Sequence, residues 1–186
     1  MSNEETTGED FIADFLDEKV IKFKRYPKIE GLSDDDRFFR EADFYLQEYK
    51  VYVEFLGQWQ NPEHQKRYRQ KMAVYAKNRI PCVYLWPDNL GTLEWILNRR
   101  IKEVLLKYNK KFLLLKLLWH EYMKKRGLGI LLFIGLAAYT WDSNWRLLFI
   151  GGIVFDILQE VFQQVKRISK LKKSKWASEA DYTTRK

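Results

Sequence analysis

Two carboxylates stand where an apolar strand tolerates few charges. Asp43 interrupts the start of the run Ala42 to Leu46, and Glu54 sits inside the run Lys50 to Leu56. A charged side chain inside a buried strand is costly unless it is paired or binds a metal. Gln47, Glu48 and Tyr49 separate the two runs, which is a hairpin-length connection. A hairpin would bring the two carboxylates together, and hard oxygen donors of this kind suit Mg²⁺. A cation held there lowers the pKa of a bound water and stabilises a phosphorane-like transition state. A plainer role also accounts for the pair: hydrogen bonding to each other, or an ion pair with Arg37, Arg40 or a helix lysine.

The elements that must position these residues follow from periodicity. Phe11, Ile12, Phe15 and Leu16 have helical spacing over Glu9 to Asp17, with Thr7 as cap and Asp10 completing an approximate capping box. Val20 to Tyr26 alternates and predicts a half-exposed strand. The two carboxylate-bearing strands come next, the second ended by Gly57. Pro62 opens a helix to about Asn78, with Tyr68, Met72, Tyr75 and Ala76 on one face. Pro81 leads into Cys82 to Trp86, short and apolar enough for a buried strand, and a further helix begins near Gly91 or Thr92. The order helix, strand, strand, strand, helix, strand, helix predicts an α/β fold: a mixed four-stranded sheet flanked by helices.

The run Asp43-Phe-Tyr-Leu, a short turn, and then Val53-Glu54-Phe-Leu-Gly57 resembles the core of the PD-(D/E)XK nuclease superfamily. The likeness is to its branch with a glutamate-aromatic-hydrophobic-glycine ending. The Gly8-Glu9 helix is similar to the superfamily's first motif, whose glutamate helps hold metal. The helix carrying Lys71 and Tyr75 is similar to its later lysine-or-glutamine-plus-tyrosine helix. The resemblance covers roughly Gly8 to Arg100. It implies a restriction-endonuclease-like αβββαβ core, a Mg²⁺ (or Mn²⁺) cofactor held by Glu9, Asp43 and Glu54, and hydrolysis of DNA phosphodiester bonds. It also leaves a homodimer open, since many of these nucleases act as dimers.

The chain departs from the pattern twice. Ala42 stands where a proline is usual. Leu56 stands two residues after Glu54, where the catalytic lysine belongs. That lysine orients the attacking water and offsets developing phosphate charge. Some branches supply it from the following helix, which makes Lys71 the candidate, with Lys66 and Gln58 behind it. Loss of the lysine would instead leave an inactive fold tethering DNA or a protein partner to a membrane.

Other chemistries find little support. Cys82 is the one cysteine, which excludes a disulfide framework and a cysteine-rich zinc site. His64 and His120 have no second ligand at metal spacing, and there is no glycine-rich phosphate loop or serine–histidine triad. A net charge of +8 suits a polyanionic partner, either nucleic acid or an anionic membrane. Lys66, Arg67 and Arg79 are the DNA-binding candidates, with Arg69, Arg99 and Arg100 also able to contact phosphates. The acidic, polar start from Ser2 to Asp10 does not read as a secretory signal peptide, which predicts a cytoplasmic domain.

The second half reads as helical throughout. Ile101, Val104, Leu105, Tyr108, Phe112, Leu115, Trp119 and Tyr122 recur every three or four residues. From Gly127 to Trp141 no residue is charged, a run reaching about 22 Å against the ~30 Å hydrocarbon core. A polar turn at Asp142-Ser143-Asn144 precedes a second apolar run, Leu147 to Phe155. Basic clusters flank the pair at Lys124 to Arg126 and Lys166 to Lys175, and the turn has none. The positive-inside rule then predicts a cell-membrane protein with both ends in the cytoplasm. The expected organisation is a nuclease-like domain over 1–105, an amphipathic basic linker helix over 106–126, a two-helix membrane hairpin over 127–165, and a basic cytoplasmic tail over 166–186. The last ten residues read as disordered.

Overall fold

The computed structural model describes residues 3–139 and 145–173. It divides into two compact units, one ending at Leu113 and the other beginning at Leu114. The expected turn at 142–144 and the tail beyond 173 lie outside the described residues.

The first unit is mixed α/β. Helix α1 spans Asn3–Glu18, and Ile12 and Leu16, four residues apart, are fully buried. Thr7 is therefore not its cap; it lies inside the helix. Strands β1 (Phe23–Arg25), β4 (Phe44–Leu46), β5 (Val51–Phe55) and β6 (Cys82–Leu85) form a sheet in the order β1-β4-β5-β6. Strands β1, β4 and β5 are antiparallel neighbours, and β6 pairs with β5 in parallel. The parallel pair needs a crossover, which α2 (Pro62–Lys77) supplies. Asn61 caps α2 by accepting from the Glu63 N–H at 3.0 Å. A 3₁₀ turn over Pro87–Thr92 leads into α3, Leu93–Lys107.

The expected strand from Val20 to Tyr26 is shorter, because Val20 and Tyr26 both adopt positive φ, at 57° and 50°. Beyond it lies a two-stranded ribbon that the periodicity did not suggest, β2 (Lys28–Glu30) against β3 (Phe39–Glu41). The chain thus makes one long hairpin bent in the middle. Tyr26–Pro27 breaks one arm and Ala42–Asp43 breaks the other. Two backbone bonds span the bend: Tyr26 N–H to the Asp43 carbonyl at 3.0 Å, and Ala42 N–H to the Pro27 carbonyl at 3.1 Å. A bend at matched positions keeps the ladder satisfied while turning both arms together.

Residues alternate across β5. Leu56 joins a cluster with Ala42, Trp59, Tyr68, Met72, Tyr75 and Tyr84, and the two-residue period puts Glu54 on that same α2-facing side. Phe55 faces the other way, toward α1. There a Cβ on Gly8 would come within 2.2 Å of the Phe55 ring. Glycine lets α1 lie directly on β5, which brings the next residue, Glu9, to the strand's end.

The second unit consists mainly of two helices. Helix α4 spans Lys111–Tyr139 and α5 spans Trp145–Lys173. The linker expected over 106–126 is not one helix. The chain breaks between α3 and α4, where Asn109 takes φ 54°. From Lys111 the basic segment and the first apolar run form one continuous helix. Within the unit, the Tyr122 hydroxyl donates to Asp156 at 3.0 Å and Arg126 pairs with the same carboxylate at 3.4 Å. Phe133 packs against Phe149 with centroids 6.3 Å apart. These contacts run the two helices antiparallel. Among the described residues one segment, Leu147–Lys170 within α5, is long and apolar enough to cross a membrane. The described apolar part of α4, residues 127–139, reaches only about 20 Å.

Candidate functional site

A cleft of about 590 Å³ opens beside the bend, lined by Glu9, Asp43, Glu54 and Lys71 among others. Each arrives from a different element. The close approach of α1 delivers Glu9, the bend delivers Asp43, the buried strand β5 delivers Glu54, and the second half of α2 delivers Lys71.

Glu54 is only 2% exposed and both of its oxygens are engaged. The Lys71 ammonium donates to Oε2 at 2.6 Å, and the Tyr75 hydroxyl donates to Oε1 at 3.0 Å. Lys71 and Tyr75 are one helical turn apart, so one face of α2 serves one carboxylate. Asp43 Oδ2 accepts from the Phe55 N–H at 2.5 Å, which ties the bend to the end of β5. Glu9 Oε2 accepts from the Tyr26 hydroxyl at 2.7 Å.

Burial, and then the charge of Glu54, hold the Asp43 carboxyl well above its ordinary range, against the pull of Lys71. Burial also raises Glu54, with Lys71 opposing. Burial alone would lower Lys71, but the Glu54 and Asp43 charges outweigh it and keep the ammonium charged. One ammonium facing two desolvated carboxylates leaves the site short of positive charge, and the donors are all oxygen. That chemistry fits a hard divalent cation, with Asp43 and Glu54 as the inner pair and Glu9 on the cleft wall. Among the described residues, no three of His, Cys, Asp and Glu are gathered tightly enough to surround one ion. Glu9 instead holds the Tyr26 hydroxyl.

The remaining candidates scatter. Arg67 lines the cleft and is exposed. Lys66 is exposed but is not part of the lining, and neither is Gln58. Arg79 follows the C-cap of α2, at the opposite end of that helix from Arg67. Arg100 is not available to DNA. It is buried, with its guanidinium donating to the Tyr84 carbonyl and, at 2.8 Å, to Asn89. Arg99 pairs with Glu103 at 2.9 Å, and Arg69 lies over the Trp59 ring. His64 stands near Tyr68 at the start of α2, and His120 is exposed on α4.

Sequence reasoning missed Tyr26, whose approach to Glu9 depends on the bend. It also missed the role of Arg40, which lines the cleft but spends its charge on Asp35 at 2.6 Å and Asp36 at 3.3 Å. The signal for that pairing, Asp-Asp four and five residues before an arginine, was present.

No family model, curated protein or solved structure matches this chain.

Proposed function

We propose that the α/β unit is a Mg²⁺-dependent endonuclease of the PD-(D/E)XK type that hydrolyses DNA phosphodiester bonds. The observation that carries this reading is the Lys71–Glu54 contact at 2.6 Å in a cleft that also holds Asp43. Leu56, the residue after β5, is buried in the core and brings no charge to the cleft. Lys71 reaches the glutamate from α2 instead. The element order α1, β1, β4, β5, α2, β6 supports the αβββαβ core, with β2–β3 as an extension of the first hairpin.

In this reading Asp43 and Glu54 would hold the cation, with Glu9 completing the set from the cleft wall. The bound metal would polarise the scissile phosphate and acidify a water. Lys71 orients the attacking water and offsets charge on the phosphate oxygens. Tyr75 fixes Glu54, and Tyr26 fixes Glu9. Arg67, at the cleft's edge, meets the phosphate backbone.

The second unit would attach the domain to the cell membrane. Leucine, isoleucine, valine and phenylalanine side chains along α4 and α5 are largely exposed, among them Leu131, Leu132, Ile150, Phe155, Leu158 and Phe162. An apolar surface of this extent marks a membrane or protein interface. The charge pattern favours both chain ends on the cytoplasmic side.

The full chain in detergent, incubated with plasmid and single-stranded DNA, tests the reading. Cutting is expected with Mg²⁺ or Mn²⁺ and is lost in Glu54→Gln and Lys71→Ala. A folded, DNA-binding chain that cuts nothing would overturn it. The complete satisfaction of Glu54 by Lys71 and Tyr75 favours one second reading, a catalytically inactive domain that tethers DNA or a protein partner. DNA affinity indifferent to Glu54→Gln, without cleavage, would establish that alternative.

A further inference from the structure

The distal ribbon β2–β3 carries a connection whose two ends are held firmly. At one end, Ser33 exchanges two hydrogen bonds with the Asn78 side chain, at 2.7 and 3.1 Å, and Lys77 pairs with Asp34. At the other, Arg40 forms a two-pronged contact with Asp35, whose side chain is fully enclosed. Between these anchors Arg37 and Phe38 project. Phe38 is 85% exposed, yet it lines the same cleft as Asp43, Glu54 and Lys71. Its neighbour Phe39 lies under the Lys28 ammonium at 4.7 Å.

A braced loop that keeps a large ring in water leaves apolar area unburied that folding would otherwise cover. The ring sits beside one arginine, Arg37, and shares the cleft wall with another, Arg67. Cations alternating with an exposed aromatic face form the pattern that recognises single-stranded nucleic acid, the cations meeting phosphates and the ring stacking on a base. A paired base inside a duplex offers no free face to such a ring.

We infer that the Arg37–Phe38 tip is a base-stacking platform, and that the cleft therefore takes nucleic acid with an unpaired base next to the phosphate it holds. This rests on the nucleic-acid reading of the cleft and narrows it to single strands, ends, flaps or distorted duplexes. Phe38 is a specificity residue here and takes no part in the chemical step.

The test uses the full chain in detergent and a fluorescein-labelled oligonucleotide, single-stranded or fully paired, with Ca²⁺ in place of Mg²⁺ to measure affinity by anisotropy. The wild type is expected to prefer the single strand. Phe38→Ala should weaken that binding by about 5- to 150-fold, the range of one base–aromatic stack, and leave duplex binding unchanged. Phe38→Tyr should restore affinity, and Phe38→Leu, apolar but unable to stack, should not. Equal binding by wild type and Phe38→Ala would overturn the inference, as would full rescue by Phe38→Leu. So would a Phe38 effect confined to binding of lipid vesicles. Parallel Mg²⁺ cleavage assays separate the two ideas. Phe38-dependent binding without cutting overturns the nuclease and leaves the platform standing, and cutting indifferent to Phe38 does the reverse.

Discussion

Removing the ammonium from Lys71 should destabilise the α/β unit in a way that depends on Glu54. In Lys71→Met the stem's apolar volume is kept while Glu54, 2% exposed, loses the partner of Oε2 and retains only the Tyr75 hydroxyl. Leaving a buried charge without its partner costs about 3–5 kcal/mol in well-enclosed sites. Here the Lys71 side chain is 20% exposed and the cleft admits water, so the expected loss is about 2–3 kcal/mol. Glu54→Gln keeps the shape and removes the charge. Lys71→Met placed on that background should therefore cost far less, giving a coupling of at least about 1.5 kcal/mol in the double-mutant cycle. Hydrogen–deuterium exchange of the full chain in detergent, followed over peptides covering β5 and α2, reads the opening free energy locally. Single-mutant losses that add to within about 0.5 kcal/mol would refute the reasoning, because the ion pair would then contribute nothing specific.

Three further outcomes are expected. Gly8→Ala should cost about 1–3 kcal/mol by driving a methyl into the Phe55 ring, with Phe55→Leu recovering part of the melting temperature. Arg40 holds the Asp35 carboxyl down to about 2, below its ordinary 3.8. That contribution is complete above the ordinary value and is lost as pH falls through the lowered one. Asp35→Asn should therefore be less stable than wild type at neutral pH by about 1–2 kcal/mol, and acid titration of both melting curves should bring them together. In the second unit, the double change Leu158→Lys and Val161→Lys adds two charges to exposed apolar positions of α5. It should lower recovery of the full chain in a vesicle flotation assay by tenfold or more, since each side chain buried in lipid is worth about 1.5–3 kcal/mol.

The central sheet was legible because its signals are strong. Cys82 to Leu85 is an unbroken apolar run and is buried at every position. Pro62 and Asn61 mark the start of α2, and Lys71 and Tyr75 share a face by simple helical spacing. Asp43 and Glu54 could be found because charge in an apolar strand demands a partner. The ribbon β2–β3 was not legible. Each arm is three residues long, one follows Pro27, and the Asp34-Asp35-Asp36 run between them reads as loop. Only pairing across the chain makes those arms strands. The break between α3 and α4 was hidden by apolar spacing that continues through Tyr108 and Phe112. Asn109, a residue that tolerates positive φ at a helix end, was its one local sign.

The bent hairpin ties together parts that lie far apart along the chain. Asp43 sits at the bend, Tyr26 sits opposite it at φ 50°, and the Arg37–Phe38 tip lies at the hairpin's far end. The far end is tied to the end of α2 through Ser33–Asn78 and Asp34–Lys77, so one frame fixes both the tip and the Asp43 carboxylate. Alterations at Tyr26, Pro27 or Ala42 should thus disturb the Asp43 carboxylate and the ribbon together, because the two backbone bonds across the bend join them. Past Lys28 the ribbon is itself tied down, with Ile29 in the α2-facing core cluster and Arg40 buried on Asp35, so exposed Arg37 and Phe38 are the positions that can vary without loosening those anchors.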